Sequence, residues 1–154
     1  MKLLLAIAQY DRRGFPQGSE HWSLVAAVPT NEEAYVFDVV GNTDTFAYRT
    51  KAQVRLLKSS TLCGGYAVGE VDETHIDWLK DHLATIPVIR NDPTWHCQVW
   101  VISAIRELQQ CPDKVTIRPD FSANNARQEL ARQRALWEEI ENHFFEDLWS
   151  RKAK

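Results

Sequence analysis

A chain of 154 residues with 44% hydrophobic residues has the length and apolar content of one folded domain, which argues against both a second domain and a disordered chain. Eighteen Lys and Arg against 21 Asp and Glu leave a formal charge of −3 with no basic block, so nucleic acid is not an expected partner. Three cysteines, Cys63, Cys97 and Cys111, are odd in number and lack paired spacing, which argues against a disulfide framework and for a reducing, cytoplasmic setting.

Leu3 to Tyr10 is an apolar run of strand length, stopped by the turn-rich Asp11-Arg-Arg-Gly-Phe-Pro16. It is too short for a signal-peptide core, and no window approaches the about 20 apolar residues of a membrane span. His21 to Val28 and Tyr35 to Val40 read as strands buried on both faces, joined as a hairpin across the polar tip Pro29 to Glu33. Phe46 to Arg49 and Val54 to Leu62 are further strand candidates, and Gly64-Gly65 separates the latter from a strand over Tyr66 to Val71. Thr74 to Asp77 has the capping-box pattern, followed by Ile76, Leu79, Leu83 and Ile86 at helical spacing before Pro87. Asp92-Pro93 or Thr94 caps a second helix carrying Cys97, Val101, Ala104, Ile105 and Leu108 on the face toward the sheet, ended by Cys111-Pro112-Asp113. Val115 to Ile117 adds a short strand. From about 122 to 150 an apolar stripe of Ala126, Leu130, Trp137, Ile140, Phe144 and Leu148 predicts one long C-terminal helix, which closes over the sheet or offers a surface to a protein partner or a second copy. Strands first and helices after give an α+β fold with an antiparallel sheet of five to six strands packed by the Cys-bearing helix, in a single domain over 1–154 with its core at about 3–117.

The chemistry concentrates on two residues. Cys97 opens a helix, whose positive end favours thiolate, and His21 opens a core strand, from which an imidazole can take the sulfur's proton. A helical cysteine is also an ordinary small core residue, and position alone does not separate these readings. Asp38 is the favoured residue to orient His21, with Asn42 the alternative: a symmetric hairpin places Asn42 opposite His21, and a longer tip loop brings Asp38 across. The Cys97 N–H is the first candidate for an oxyanion donor, with Gln9 or Tyr10 as side-chain donors from the end of the first strand. Trp22, Trp95 and Trp100 flank the pair and line a substrate cleft or the core. His96, about 100° around a helix from Cys97, is expected to point elsewhere. His75 and His82 share a helix face but have no third ligand at suitable spacing, so no metal and no cofactor are expected.

His21-Trp22-Ser-Leu-Val and Cys97-Gln-Val-Trp-Val resemble the His-Trp strand and Cys-initiated helix of the permuted NlpC-type superfamily, which includes lecithin:retinol acyltransferase-like enzymes. In that superfamily, as here, histidine precedes cysteine along the chain. Residues 3 to about 110 also resemble a set of small fungal proteins, through Leu3 to Tyr10, His21 to Leu24, Phe37-Asp38-Val39 and Asn91 to Cys97. Two positions depart from that second pattern: Asp38 stands where those relatives place a histidine, and His96 where they place an asparagine. The resemblance implies a papain-like core and a thiol-dependent hydrolase or acyltransferase, with Cys97 as nucleophile, His21 as base and acid, and Asp38 as orienter. Its substrate would be a small molecule or peptide carrying an amide, ester or thioester. A non-catalytic binding module that keeps the fold, or a condensing enzyme using the same dyad, are the alternatives.

Overall fold

Leu3, Leu5 and Ile7 alternate with Ala6 and Ala8 along the first segment and all five are fully buried, so this strand is covered on both faces. In the computed structural model, which describes residues 1–140 and 144–153, it is β1 (Lys2–Tyr10) near the middle of a six-stranded antiparallel sheet. The strands β2 (His21–Ala27), β3 (Glu33–Val40), β4 (Ala47–Arg55), β5 (Leu62–Asp72) and β6 (Val115–Ile117) complete it in the order β4-β3-β2-β1-β5-β6. The helices are α1 (Ile76–Leu83), α2 (Cys97–Leu108), α3 (Ala123–Ile140) and α4 (Phe144–Ala153). The fold is therefore α+β. No helix among the described residues is long and apolar enough to cross a membrane.

The two faces of the sheet differ in side-chain size. One carries Leu3, Leu5, Ile7, Trp22, Leu24, Phe37 and Val39 and packs against α1, α2 and the start of α3, through Leu79, Leu83, Trp100, Val101, Ile105, Ala126 and Leu130. The other carries Ala6, Ala8, Val25, Ala27, Ala34 and Val36, small enough for α4 to lay Phe145 and Trp149 onto the strands. The Trp149 indole donates to the Val28 carbonyl at 3.0 Å, which satisfies its one donor inside the core.

Several boundaries differ from the sequence reading. Phe46 to Arg49 and Val54 to Leu62 do not form two strands; Ala47–Arg55 is one, and Leu56–Lys58 is a 3-10 turn. Gly64-Gly65 does not interrupt β5, because those glycines sit inside a paired strand where α3 and α4 approach closely. A Cβ on Gly65 would lie 2.6 Å from the Phe145 ring, and the Gln133 amide grips both the Gly65 N–H (2.8 Å) and its carbonyl (2.9 Å). Thr74 does not cap the first helix: Asp72 accepts from the Thr74 N–H and hydroxyl at the head of a 3-10 turn over Glu73–His75, and α1 follows with no side-chain cap of its own.

The expected C-terminal helix is covered by α3 and α4, while residues 141–143 and the Ile140 side chain lie outside the described residues. Ala126 and Leu130 are fully buried as expected, but in α4 the buried pair is Phe145 and Trp149, with Phe144 and Leu148 only partly buried. A single stripe drawn through 122–150 assumes one uninterrupted phase, and α4 buries the neighbouring pair. Ala126, Leu130, Phe145 and Trp149 are thus spent on the core, whereas Trp137, half-buried, lines a surface pocket with Leu57 and Leu62.

Candidate active site

The approach to Cys97 is fixed by two local devices. The Asp92 carboxylate accepts from the Thr94 N–H (2.9 Å) and hydroxyl (2.7 Å), an Asx turn that ends before the helix instead of capping it. The cap is His96, whose backbone is extended and whose Nδ1 accepts from the Gln98 N–H at 3.3 Å. Cys97 is thus the first residue of α2, at its positive end, and is 7% exposed. Gln98 anchors this end: its amide nitrogen donates to the Gly18 (3.1 Å) and Glu20 (2.9 Å) carbonyls, and its oxygen accepts from Arg127 at 3.1 Å.

His21 reaches the same place from the other side of the sheet. The β2–β3 ladder pairs Leu24 with Phe37 and Ala27 with Ala34, a register that continues to bring Ser23 and Asp38 across from one another. Strand alternation then puts His21, Ser23 and Asp38 on the small-residue face, whereas Cys97 descends from α2 on the opposite face. They meet because His21 is the first residue of β2 and Cys97 the first of α2, both at one end of the sheet.

Asp38 is 1% exposed and saturated with donors. Its Oδ2 takes His21 Nε2 at 2.9 Å, the Ser23 hydroxyl at 2.6 Å and Arg49 Nη2 at 2.9 Å, and its Oδ1 takes Arg49 Nε at 3.0 Å. Burial pushes this carboxyl up, but His21, Arg49 and Ser23 together outweigh it and hold it down to about 2. With Nε2 bound to Asp38, Nδ1 is the ring nitrogen left for exchange with a thiol.

The imidazole of His21 and the thiol of Cys97 interact and shift one another. Burial pulls His21 down, yet its bonds to Asp38 and Cys97 raise it to about 9. Burial likewise pushes the Cys97 thiol up, and His21, His96 and the Trp22 N–H overturn that and lower it to about 6. Both shifts run in the direction of a thiolate beside an imidazolium. Cys63, by contrast, is fully buried and pushed up to about 12, first by burial, and Cys111 is also raised, by burial and by Glu107 and Asp113.

The pair opens onto a cleft of about 570 Å³ between the β3–β4 connection, the 11–20 loop and the segment before α2. Trp95 lines it, edge-on to Phe46 at 5.3 Å. The other expected lining residues do not. Trp22 is 2% exposed, with its indole bound to Gln9 Oε1 at 3.1 Å and its ring under the Arg127 guanidinium. Trp100 is fully buried against the Tyr48 ring. The adjacent-residue alternation of β2 and the helical turn after Cys97 carry both away from the cleft and into the core. Gln9 is no oxyanion donor, since its nitrogen is bound to the Leu130 carbonyl at 2.9 Å inside the core. Tyr10 packs its ring against His21 at 5.9 Å, with a hydroxyl whose pKa is raised chiefly by burial. Asn42 lines the cleft but spends its side-chain oxygen on the Asp44 N–H and the Thr45 hydroxyl of its own turn.

His96 departs most from expectation. It was placed by helical geometry, but as an extended cap it lies outside the helix, so its imidazole turns onto the thiol as well as the Gln98 N–H. His96→Asn separates these two roles. Asparagine is among the best caps, so the melting temperature should hold or rise, whereas the Cys97 titration, followed by iodoacetamide uptake against pH, should move upward from about 6. His75 faces the Lys114 carbonyl and His82 stacks on Trp78, and no cluster of three His, Cys, Asp or Glu side chains suited to a metal occurs among the described residues. Ser23, Arg49 and Gln98 had no signal in the sequence, because each acts through a partner 15, 11 or 80 positions away.

An α+β domain with a Cys and a His lining one cleft, and a buried Asp bonded to that His, is the class that fold and site define together. Residues 5–112, more than half of the chain, match a family of unknown function (DUF6540), and the protein belongs to that family. The matched segment runs from β1 past the end of α2 and contains His21, Asp38, Arg49 and Cys97. No curated protein and no solved structure matches the chain.

Proposed function

We propose that this protein is a thiol-dependent hydrolase or acyltransferase of papain-like, permuted NlpC-type character, acting through a Cys97 thioester. The observation that carries this reading is the Cys97–His21–Asp38 chain of contacts, with the thiol lowered to about 6 and the imidazole raised to about 9. A cysteine kept only for packing has no use for a buried carboxylate that holds the neighbouring imidazole charged.

In this mechanism the thiolate attacks an acyl carbonyl carbon, forming the C–S bond and an oxyanion at the Cys97 N–H, which has no helical acceptor. The His21 imidazolium gives its proton to the leaving heteroatom as that bond breaks. The neutral imidazole then takes a proton from water or another nucleophile, which attacks the thioester, and departure of the thiolate restores the starting pair. Asp38 stays ionised throughout and keeps Nδ1 turned to the sulfur.

The test is iodoacetamide alkylation at pH 7, resolved for each cysteine by mass spectrometry, in the native protein and in His21→Ala. Cys97 should react far faster than Cys63 and Cys111, and the variant should slow it about 100-fold as the thiolate fraction collapses. A Cys97 no faster than Cys111, or indifferent to His21, would make it a core cysteine and leave the non-catalytic binding module as the better account.

A further inference from the structure

The charged groups that line the cleft are Arg12, Arg49 and the His21–Cys97 pair, in which imidazolium and thiolate offset one another, and no carboxylate lines it, although the chain as a whole carries a formal charge of −3. Arg49 is already committed, since both its donors to this region end on Asp38. Arg12 is not: it forms no ion pair among the described residues, and its guanidinium lies 4.1 Å over the Phe15 ring. That stacking holds the plane of the fork while leaving its edge of N–H donors unbonded, an arrangement that suits a carboxylate or phosphate oxygen pair. Val40, Phe46 and Trp95 give the same cleft an apolar part. The N-terminus of the 12-residue α2 adds partial positive charge at the sulfur end.

We infer that the acyl substrate is an anion, whose carboxylate or phosphate is held by Arg12 at the mouth of the cleft while its carbonyl lies at Cys97. This rests on Cys97 being the nucleophile. Arg12 supplies substrate selection rather than chemistry: it acts on the charge of the acyl donor and leaves the thiolate–imidazolium pair to His21 and Asp38.

The experiment compares iodoacetate with iodoacetamide, two alkylating agents that differ by one negative charge, at each cysteine of the full chain. Cys111 is the internal reference, because Glu107 and Asp113 beside it repel an anionic reagent and the reagent ratio cancels the thiolate fraction. The iodoacetate-to-iodoacetamide rate ratio should be at least about tenfold higher at Cys97 than at Cys111 and should shrink with added salt. Arg12→Gln should remove most of that preference. A preference that survives Arg12→Gln belongs to the imidazolium alone and overturns the assignment of Arg12, as does equality of the two ratios. Succinate and inorganic phosphate, added as protectants against iodoacetamide, distinguish the two anion sources: the one that slows alkylation of Cys97 but not Cys111 is the group the cleft selects. Protection by neither overturns the inference. The nucleophile reading fails separately, on a slow reaction of Cys97 with neutral iodoacetamide.

Discussion

Asp38→Ala is expected to cost about 1–3 kcal/mol of stability and, at the same time, to return the Cys97 thiol to the unreactive range. The carboxylate is 1% exposed and receives His21, Ser23 and both donors of Arg49. Alanine takes the acceptor from the Ser23 hydroxyl, from the imidazole and from the guanidinium at once, and the exposure of His21 and Arg49 to the cleft lets water offset part of that loss. His21 then has burial against it and has lost the bond that chiefly kept it protonated, so it becomes a neutral ring that no longer favours a thiolate. Urea unfolding gives the first effect and iodoacetamide uptake at pH 7 the second. Asp38→Asn, which keeps the volume and one acceptor oxygen, separates them: it should recover a good part of the stability but little of the reactivity. If Asp38→Asn left Cys97 as reactive as in the native protein, the carboxylate would be a brace for Arg49 and not an orienter of His21.

The parts of this molecule that were legible in the sequence are those written in local pattern. Uninterrupted apolar runs at Leu3–Tyr10 and His21–Val28 mark strands buried on both sides, and the spacing of Cys97, Val101, Ala104, Ile105 and Leu108 marks the face of α2 that meets the sheet. Both residues of the dyad and the favoured orienter could be named because each opens or sits within such an element. What escaped depended on where elements lie relative to one another. Gln9, Trp22 and Trp100 have the right chemistry for a cleft, but the path of β1, β2 and α2 turns them toward α3 and the core. Arg49 looks like any charged residue on an edge strand until the β3–β4 register sets it opposite Asp38. His96 was misplaced for a different reason. A helical wheel applies only to residues with helical backbone, and the cap is by definition the first residue that lacks it.

Between about pH 6 and about pH 9 the reactive pair is populated without any change in the number of protons bound, and this gives two profiles of different shape. Reactivity should follow the charges: alkylation of Cys97 rises through an inflection near 6 as the thiolate forms, and turnover of an unactivated ester or amide falls again near 9 as His21 loses the proton it must donate. Stability should not follow them. His21 is raised above its unfolded value of about 6.5, so its contribution is complete below that pH and is lost as pH rises through about 9. Cys97 is lowered below its unfolded value, so its contribution is absent below about 6 and grows as pH rises toward that of a free thiol. The two ramps run in opposite directions across the same interval and cancel, because folding moves one proton from sulfur to imidazole and releases none. Cys97→Ala removes one ramp, together with the share of the His21 shift that the sulfur supplies, and should expose the part of the other that Asp38 holds. The stability of the variant, relative to the native protein, should then decline with rising pH from about 6.5 until His21 has deprotonated, at up to about 1.4 kcal/mol per pH unit. Thermal or urea unfolding of both proteins from pH 6 to 9 measures this difference directly. A variant that tracked the native protein at constant offset would mean that Asp38 alone does not keep His21 charged above about pH 6.5, and that the thiolate is what holds the extra proton on the ring.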